Sequence, residues 1–336
     1  MMKKVAVIIL NWNGAALLRR YLPSVLANTD ADIADVIVAD NGSTDESRKV
    51  LALEFPGIKT ILFDSNHGYA GGYNLALAEC AHYEYSVLLN SDVRTPAGWL
   101  QPLFAHMEQN RQVGACQPKI LQDRDDDKAT FEYAGAAGGF IDRNGFPFCR
   151  GRIFATVEED HGQYDTEQPT SVFWATGACL MVRTELYNRL GGLDSGFFAH
   201  MEEIDLCWRI RLAGYDITAV TQSHIYHLGG GSLPQGNPRK VYLNFRNNLV
   251  LMHKNLPQKQ GRRLLFIRRL YDTLAMLVEL AKFRFANAGA ILRAHRDFRR
   301  MRQRYNTFPE RDARADLPQC GCNIIVDYYL RHRRTF

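Results

Sequence analysis

Val5-Ala6-Val7-Ile8-Ile9-Leu10-Asn11-Trp12-Asn13 decides how the first third of the chain is read. It is a short, continuous apolar run that stops on a polar, aromatic turn, the pattern of a strand buried on both faces. Behind Met1-Met2-Lys3-Lys4 it resembles a secretory leader, but the run ends at Asn11, short of the about 7–15 apolar residues such a leader needs. A buried first strand is the better reading.

The same theme recurs down to about Asn110. Strands are expected at Val5–Leu10, Val36–Asp40, Lys59–Phe63 and Tyr85–Asn90, with helices starting near Gly14, Asp45 and Ala70. Alternation of this kind predicts an α/β, mostly parallel sheet flanked by helices, in which ligands collect at the carboxyl ends of the strands. Further on, Gln122–Lys128 and Tyr133–Arg152 read as loops or an excursion from the sheet, and Val172–Val182 as a strand interrupted by Gly177. A helix is expected from the Glu202–Glu203 region to Gly214, then a strand at Asp216–Val220 leading to His224-Ile225-Tyr226-His227 and the turn Gly229-Gly230-Gly231.

Composition agrees with a folded, globular chain. Of 336 residues 46% are hydrophobic and 23% charged, enough apolar material for a large core. Seven scattered cysteines suit buried thiols of a reducing cytosol better than a disulfide framework, and Cys320-Gly-Cys322 lacks the second pair a zinc site needs. No stretch approaches the about 18 apolar residues of a membrane span. The expected location is cytoplasmic.

Charge is unevenly placed. Gln258–Tyr305 holds thirteen basic and three acidic side chains, a net +10, against +5 for the whole chain. Leu264–Ile267, Leu270, Leu274, Leu277 and Val278 interleave with the arginines at helical spacing, which predicts amphipathic helices. Such helices either lie on anionic lipid at the inner face of the plasma membrane or pack on their own domain with a charged face in solvent.

After the strands come Asn11-Trp12-Asn13, Asp40-Asn41-Gly42-Ser43-Thr44-Asp45, Asn66-His67-Gly68-Tyr69-Ala70-Gly71-Gly72 and Asn90-Ser91-Asp92. None is a dinucleotide G-x-G-x-x-G or a G-x-x-x-x-G-K-[ST] loop, which argues against dehydrogenases and P-loop NTPases. Asp92 at a strand end suits a hard divalent cation, Mg²⁺ or Mn²⁺, or else a helix cap. His227 among glycines is a second candidate ligand, with His224 competing. Glu202, Glu203 and Asp205 suit a helix N-terminus, and Asp205 pairs naturally with Arg209 one turn on.

Taken in order, these segments resemble a family 2 glycosyltransferase of the GT-A fold, similar to the bacterial rhamnosyltransferase-like branch that builds surface polysaccharides. The resemblance runs from Val5 to about Leu256, through Ile9–Asn13, Val38–Asp45, Asn66–Asn74, Leu89–Val93, Gly177–Leu180, the Phe197-Phe198…Glu202-Glu203-Ile204-Asp205-Leu206…Arg209 segment and His227. It implies a GT-A domain over 1–256, with a nucleotide-binding half at about 1–115 and an acceptor half at 116–256, followed by a basic helical region over 257–336. It also implies that Trp12 and Asp40 hold the nucleotide base with Asn66 and Gly68 nearby, and that Asn90 lies by the ribose or phosphate. Asp92 and His227 would hold Mn²⁺ or Mg²⁺, and Glu203, with Glu202 as the alternative, would deprotonate the acceptor. Two departures stand out: the family's D-x-D is Asn90-Ser91-Asp92, and its usual Asp base is a glutamate. Arg246 could contact phosphate or make a surface salt bridge.

The implied reaction is inverting, metal-dependent transfer from a nucleotide-sugar donor to a hydroxyl of a glycan or lipid-linked acceptor. Two alternatives stand beside it: a sugar-1-phosphate nucleotidyltransferase, and a non-enzymatic module that uses the basic segment to bind lipid or, less fittingly, nucleic acid.

Overall fold

The computed structural model describes residues 3–124, 129–132, 135–229, 236–305 and 320–336. Parts of Gln122–Lys128 and Tyr133–Arg152, and Gly230-Gly231, lie outside the described residues.

Strands β1 (Val5–Asn11), β2 (Ala34–Asp40), β3 (Lys59–Leu62) and β4 (Tyr85–Asn90) alternate with helices α1 (Ala15–Asn28), α2 (Ser47–Glu54) and α3 (Gly68–Glu79). β1 runs parallel to both β2 and β4, and β2 parallel to β3, so all four carboxyl ends point to one edge. Every residue of β1 except Leu10 is buried, as its unbroken apolar run requires between two helical layers.

The short β5 (Val93–Arg94), α4 (Leu100–Gln109) and β6 (Val113–Gln122) follow. The excursion expected over Tyr133–Arg152 builds a small second sheet that runs on to Val157: β7 (Gly139–Ile141), β8 (Pro147–Cys149), β9 (Arg152–Ile153) and β10 (Thr156–Val157). The chain then returns through β11 (Thr170–Ser171), β12 (Cys179–Arg183), α5 (Thr184–Arg189) and α6 (Glu202–Leu212) to the long β13 (Asp216–His227). The expected Val172–Val182 strand is thus confined to Cys179–Arg183, because the backbone at Gly177 is given over to a side-chain contact described below.

The main sheet has the order β11-β13-β6-β12-β4-β1-β2-β3, with β5 on β13. β12 is antiparallel to both β4 and β6, whereas β13 is parallel to β6. β13 slips register between Val220 and His224, and β5 pairs with its last two residues, His227 opposite Val93. That pairing carries His227 to the segment just after β4. Apolar side chains fill both faces of the sheet.

Beyond β13 the described residues hold three helices packed on one another, α7 (Pro238–Asn255), α8 (Gln258–Ala281) and α9 (Phe285–Met301), and a short α10 (Ile324–Tyr329). They are anchored by buried polar groups. Asp272 accepts from Arg268 at 3.0 Å and lies 2.9 Å from His295, and the Arg268 guanidinium covers the Phe146 ring at 3.7 Å. Cys320 and Cys322 form a disulfide, so this pair departs from the expectation of free thiols, while Cys80, Cys116, Cys149, Cys179 and Cys207 are free and buried.

Candidate active site

The first two loops at the carboxyl edge clasp each other. Asn11 Nδ2 donates to Asp40 Oδ2 at 3.1 Å and to Ser43 Oγ at 3.2 Å, and Asn13 Oδ1 accepts from the Thr44 amide at 2.7 Å. Asp40 Oδ1 accepts from the Ser43 amide at 3.1 Å and from Arg48 Nε at 2.7 Å. Burial works to raise the Asp40 pKa, but the Ser43 and Arg48 donors outweigh it and hold the carboxyl below its ordinary range. Asp40 is fully buried, with both oxygens engaged. Asp40 thus shapes the loop that is expected to meet the base. Arg48, which no sequence motif singled out, is its ionic partner. Trp12 stands at the mouth of this clasp, 55% exposed.

A second clasp joins the β2 and β3 loops. Asn41 Nδ2 donates to Asn66 Oδ1 and to the Gly68 carbonyl, both at 3.0 Å, and Asn66 Oδ1 also accepts from the Gly68 amide at 2.7 Å. Gly42, at φ +72°, lies so close to Ser65 that a Cβ would come within 2.4 Å of its backbone, which explains a glycine there. Asn66 and Gly68 thus hold one another and the loop.

At the end of β4, Asn90, Asp92 and His227 converge. His227 Nε2 is 3.1 Å from Asp92 Oδ1 and 3.3 Å from Asn90 Nδ2, while His227 Nδ1 is 3.4 Å from Glu132 Oε2. Burial lowers the imidazole's pKa, but the Asp92 and Glu132 carboxylates more than offset it and lift His227 to about 10. For Asp92 burial works upward, and the His227 contact prevails and holds it down. His224 on the same strand instead packs edge-on against Tyr226, with ring centroids 5.4 Å apart. Glu132 carried no sequence signal: it follows β6 in an irregular stretch, and its backbone bond to Ile120 beside the Leu121–Phe131 bridge brings it to the imidazole.

This donor set fits a small divalent cation. Adjacent oxygen or nitrogen ligands at about 2.0–2.2 Å from such an ion stand roughly 3 Å apart, as Asp92 Oδ1 and His227 Nε2 do. Two protein donors leave most of an octahedron to water and phosphate, the usual arrangement for Mg²⁺ or Mn²⁺ at a nucleotide. Among the described residues no group of three or more His, Cys, Asp or Glu side chains forms a closed metal cage.

The glutamates open α6, behind a strained loop. Phe198, His200 and Met201 take positive φ of 68°, 70° and 74°. Asn247 on α7 holds this strained loop by donating to the carbonyls of Phe197, Ala199 and His200 at 3.0, 2.8 and 2.7 Å. Asp205 pairs with Arg209 at 2.8 Å, as the sequence suggested, and also with Lys254 at 2.9 Å. Glu202 is buried, and among the described residues its Oε2 finds no hydrogen-bond partner. Burial raises both carboxyls, Glu203 to about 7, and at Glu202 the charge of Glu203 adds to burial.

Tyr69 connects the β4 end with the segment before β12. Its hydroxyl donates to the Gly177 carbonyl at 2.9 Å and lies 3.4 Å from Asn90 Oδ1. A Cβ on Gly177 would meet the Tyr69 hydroxyl at 2.7 Å and stand 3.8 Å from the Glu203 Cβ. Tyr69 and Glu203 thus both border Gly177, and the Tyr69 hydroxyl also reaches Asn90, the neighbour of His227 Nε2. Tyr69 is quoted in the third loop motif, yet nothing in its spacing distinguished it from its neighbours.

Arg246 lies elsewhere. Its guanidinium donates to the carbonyls of Gly196 and Phe197 at 3.3 and 2.6 Å, and to Asn247 Oδ1. In this structure Arg246 supports the segment that leads into α6. A cavity of about 410 Å³ borders Arg246, Tyr242 and α9, away from the Asp92–His227 group.

Comparison with known proteins gives a consistent picture. The family model described as "Glycosyl transferase family 2" matches residues 6–188. An N-acetylglucosaminyl-diphospho-decaprenol L-rhamnosyltransferase of Mycobacterium tuberculosis is 27% identical over 225 residues, 62% of this chain and 71% of that protein. The rhamnosyltransferase WbbL of Escherichia coli is 25% identical, over 62% of this chain and 78% of its own length. Among solved structures, GalNAc-T7 with UDP, GalNAc and Mn²⁺ superposes with a TM-score of 0.60 at 18% identity, over 75% of this chain and 48% of that one. The mannosyltransferase PcManGT of Pyrobaculum calidifontis, in complex with GDP-Man and Mn²⁺, superposes at 0.51 and 16% identity, over 91% and 85%. These two structures share the fold.

Proposed function

Because this chain belongs to glycosyl transferase family 2 and is a glycosyltransferase, we propose that it moves a sugar, with inversion, from a nucleotide-sugar donor to a hydroxyl of a glycan or lipid-linked acceptor. The observation that carries the reading is that the half-buried Glu203 carboxyl, of raised pKa, borders Gly177, whose carbonyl accepts from the same Tyr69 hydroxyl that reaches Asn90 beside the Asp92–His227 pair. Family membership favours transfer over the nucleotidyltransferase and pure binding alternatives.

In this reading the clasped loops seat the nucleoside: the Trp12 ring offers a face to the base, and the Asp40–Arg48 pair keeps the loop that surrounds it in shape. Asp92 and His227 would hold Mn²⁺ or Mg²⁺, which when bound neutralises charge developing on the leaving diphosphate. Asn90 sits beside them, where its amide can donate to a phosphate or ribose oxygen.

The Glu203 carboxylate takes the acceptor's hydroxyl proton as that oxygen bonds to the anomeric carbon, while the bond from that carbon to the diphosphate oxygen breaks. One displacement from the face opposite the leaving group inverts the centre. A pKa near 7 suits the task, since the carboxylate is both available and basic enough at neutral pH. The relatives named as rhamnosyltransferases support a deoxyhexose donor and a lipid-linked acceptor.

The test is a thermal-shift screen of the purified chain against UDP-, dTDP- and GDP-sugars with Mn²⁺, followed by release of nucleoside diphosphate in the presence of a prenyl-diphosphate-linked sugar. A ligand of the native state raises the melting point. A chain that binds none of the donors and releases no diphosphate would refute the assignment.

A further inference from the structure

We propose that the outer face of α8 and the turn that follows it form a docking surface for an anionic lipid bilayer. The helix is inverted relative to an ordinary surface helix. Its packed face carries Arg268 and Asp272, 4% and 2% exposed, whereas Phe266, Leu270, Leu274 and Leu277 on the opposite face are 60%, 59%, 57% and 53% exposed. Residues three and four apart share a helix face, so these four form one continuous stripe rather than scattered exposures. Leucines turned to water along a helix whose ion pair is turned inward mark a surface with an apolar partner.

The stripe ends in aromatic groups. Phe283 and Phe285 in the α8–α9 turn are 80% and 64% exposed, and their rings lie 6.2 Å apart. The backbone at Phe283 takes φ +57°, a conformation that costs a bulky residue free energy and that here turns the ring outward.

Charge selects the partner. Arg262, Arg263 and Arg269 flank the start of the stripe, and Lys282 and Arg284 bracket the exposed phenylalanine; all five are solvent-exposed. On α8 itself the acids are turned away: Asp272 is buried against Arg268 and His295, and Glu279 accepts from Asn287. An apolar stripe bordered by cations matches acyl chains beneath anionic headgroups, and a protein partner would have no need of the five cations at its rim. Among the described residues no helix is long and apolar enough to cross a membrane, so α8 would lie along the interface.

The test is cosedimentation of the full chain with phosphatidylglycerol-containing and phosphatidylcholine-only vesicles. Attachment is expected to the anionic vesicles at low salt and to weaken at about 0.5 M salt, where charges are screened within a few ångströms. L270E together with L274E should lower vesicle partitioning at least about tenfold. Both positions are exposed, so the melting temperature should stay unchanged. Equal binding by wild type and variant would overturn the stripe's role. So would a wild type that ignores vesicles at low salt, including one that forms a dimer which the variant breaks. Vesicle attachment is read without donor or acceptor, so its failure is distinguishable from failure of the transfer chemistry.

Discussion

Replacing Glu203 by Gln removes a proton acceptor while keeping the shape of a side chain packed beside Gly177 and Tyr69. Its effects on rate and on stability should run in opposite directions. Loss of a positioned general base lowers turnover by about 10²- to 10⁴-fold, while donor affinity, set in the Asp92 half of the cleft, stays unchanged. Burial raises the Glu203 pKa from its ordinary value to about 7. The folded state therefore holds a proton that the unfolded chain has already released, and stability falls as pH rises from the unfolded pKa through about 7. That penalty is absent at acid pH and fully present above neutrality, where it amounts to roughly 1–3 kcal/mol. E203Q should thus melt a few degrees higher than wild type at pH 8 and about equally at pH 4.5. In steady-state assays the wild-type rate should climb about tenfold per pH unit below 7 and level off above it, and the variant should lose that limb. A calorimetric donor titration supplies the folding control. If E203Q turns over at the wild-type rate with the same pH limb while E202Q does not, the base is Glu202; if neither substitution matters, the mechanism is wrong.

Other substitutions separate the remaining roles. D92A and H227A should each abolish Mn²⁺-dependent binding of nucleoside diphosphate by calorimetry, and unchanged affinity in both would remove them as ligands. His227, held near pKa 10 by its two carboxylates, has to lose its proton to bind metal, so Mn²⁺ affinity should rise with pH and binding should release about one proton, measurable in buffers of different ionisation enthalpy. D40A and R48A should weaken nucleotide binding by similar factors, about 10- to 100-fold, because both act through one loop; a large effect of D40A beside a silent R48A would point to a direct base contact. Tyr69→Phe deletes the hydroxyl between Gly177 and Asn90 and should lower turnover about tenfold with little change in donor affinity, and equal rates would show the bridge to be incidental.

Local sequence settled the architecture of the first half. Continuous apolar runs such as Val5–Leu10 and Tyr85–Asn90 have no exposed face, so they had to be strands covered on both sides, and their ends had to gather at one edge. That logic also placed Asn90, Asp92, Glu202 and Glu203 at element ends, and i,i+4 spacing alone gave the Asp205–Arg209 pair. What a carboxylate does there depends on which distant groups reach it, and spacing along the chain carries no such information. Asp40 is loop-bound because Arg48 and Asn11 fill its oxygens; His227 rather than His224 meets Asp92 because β13 slips register and β5 pairs with its end; Glu132 and Tyr69 enter the site through contacts across the fold. The tail follows the same division. Its amphipathic spacing was legible, but two faces of one helix were both candidates for burial, and only packing against α7, α9 and Phe146 decided that the ion pair went inward and the leucines outward.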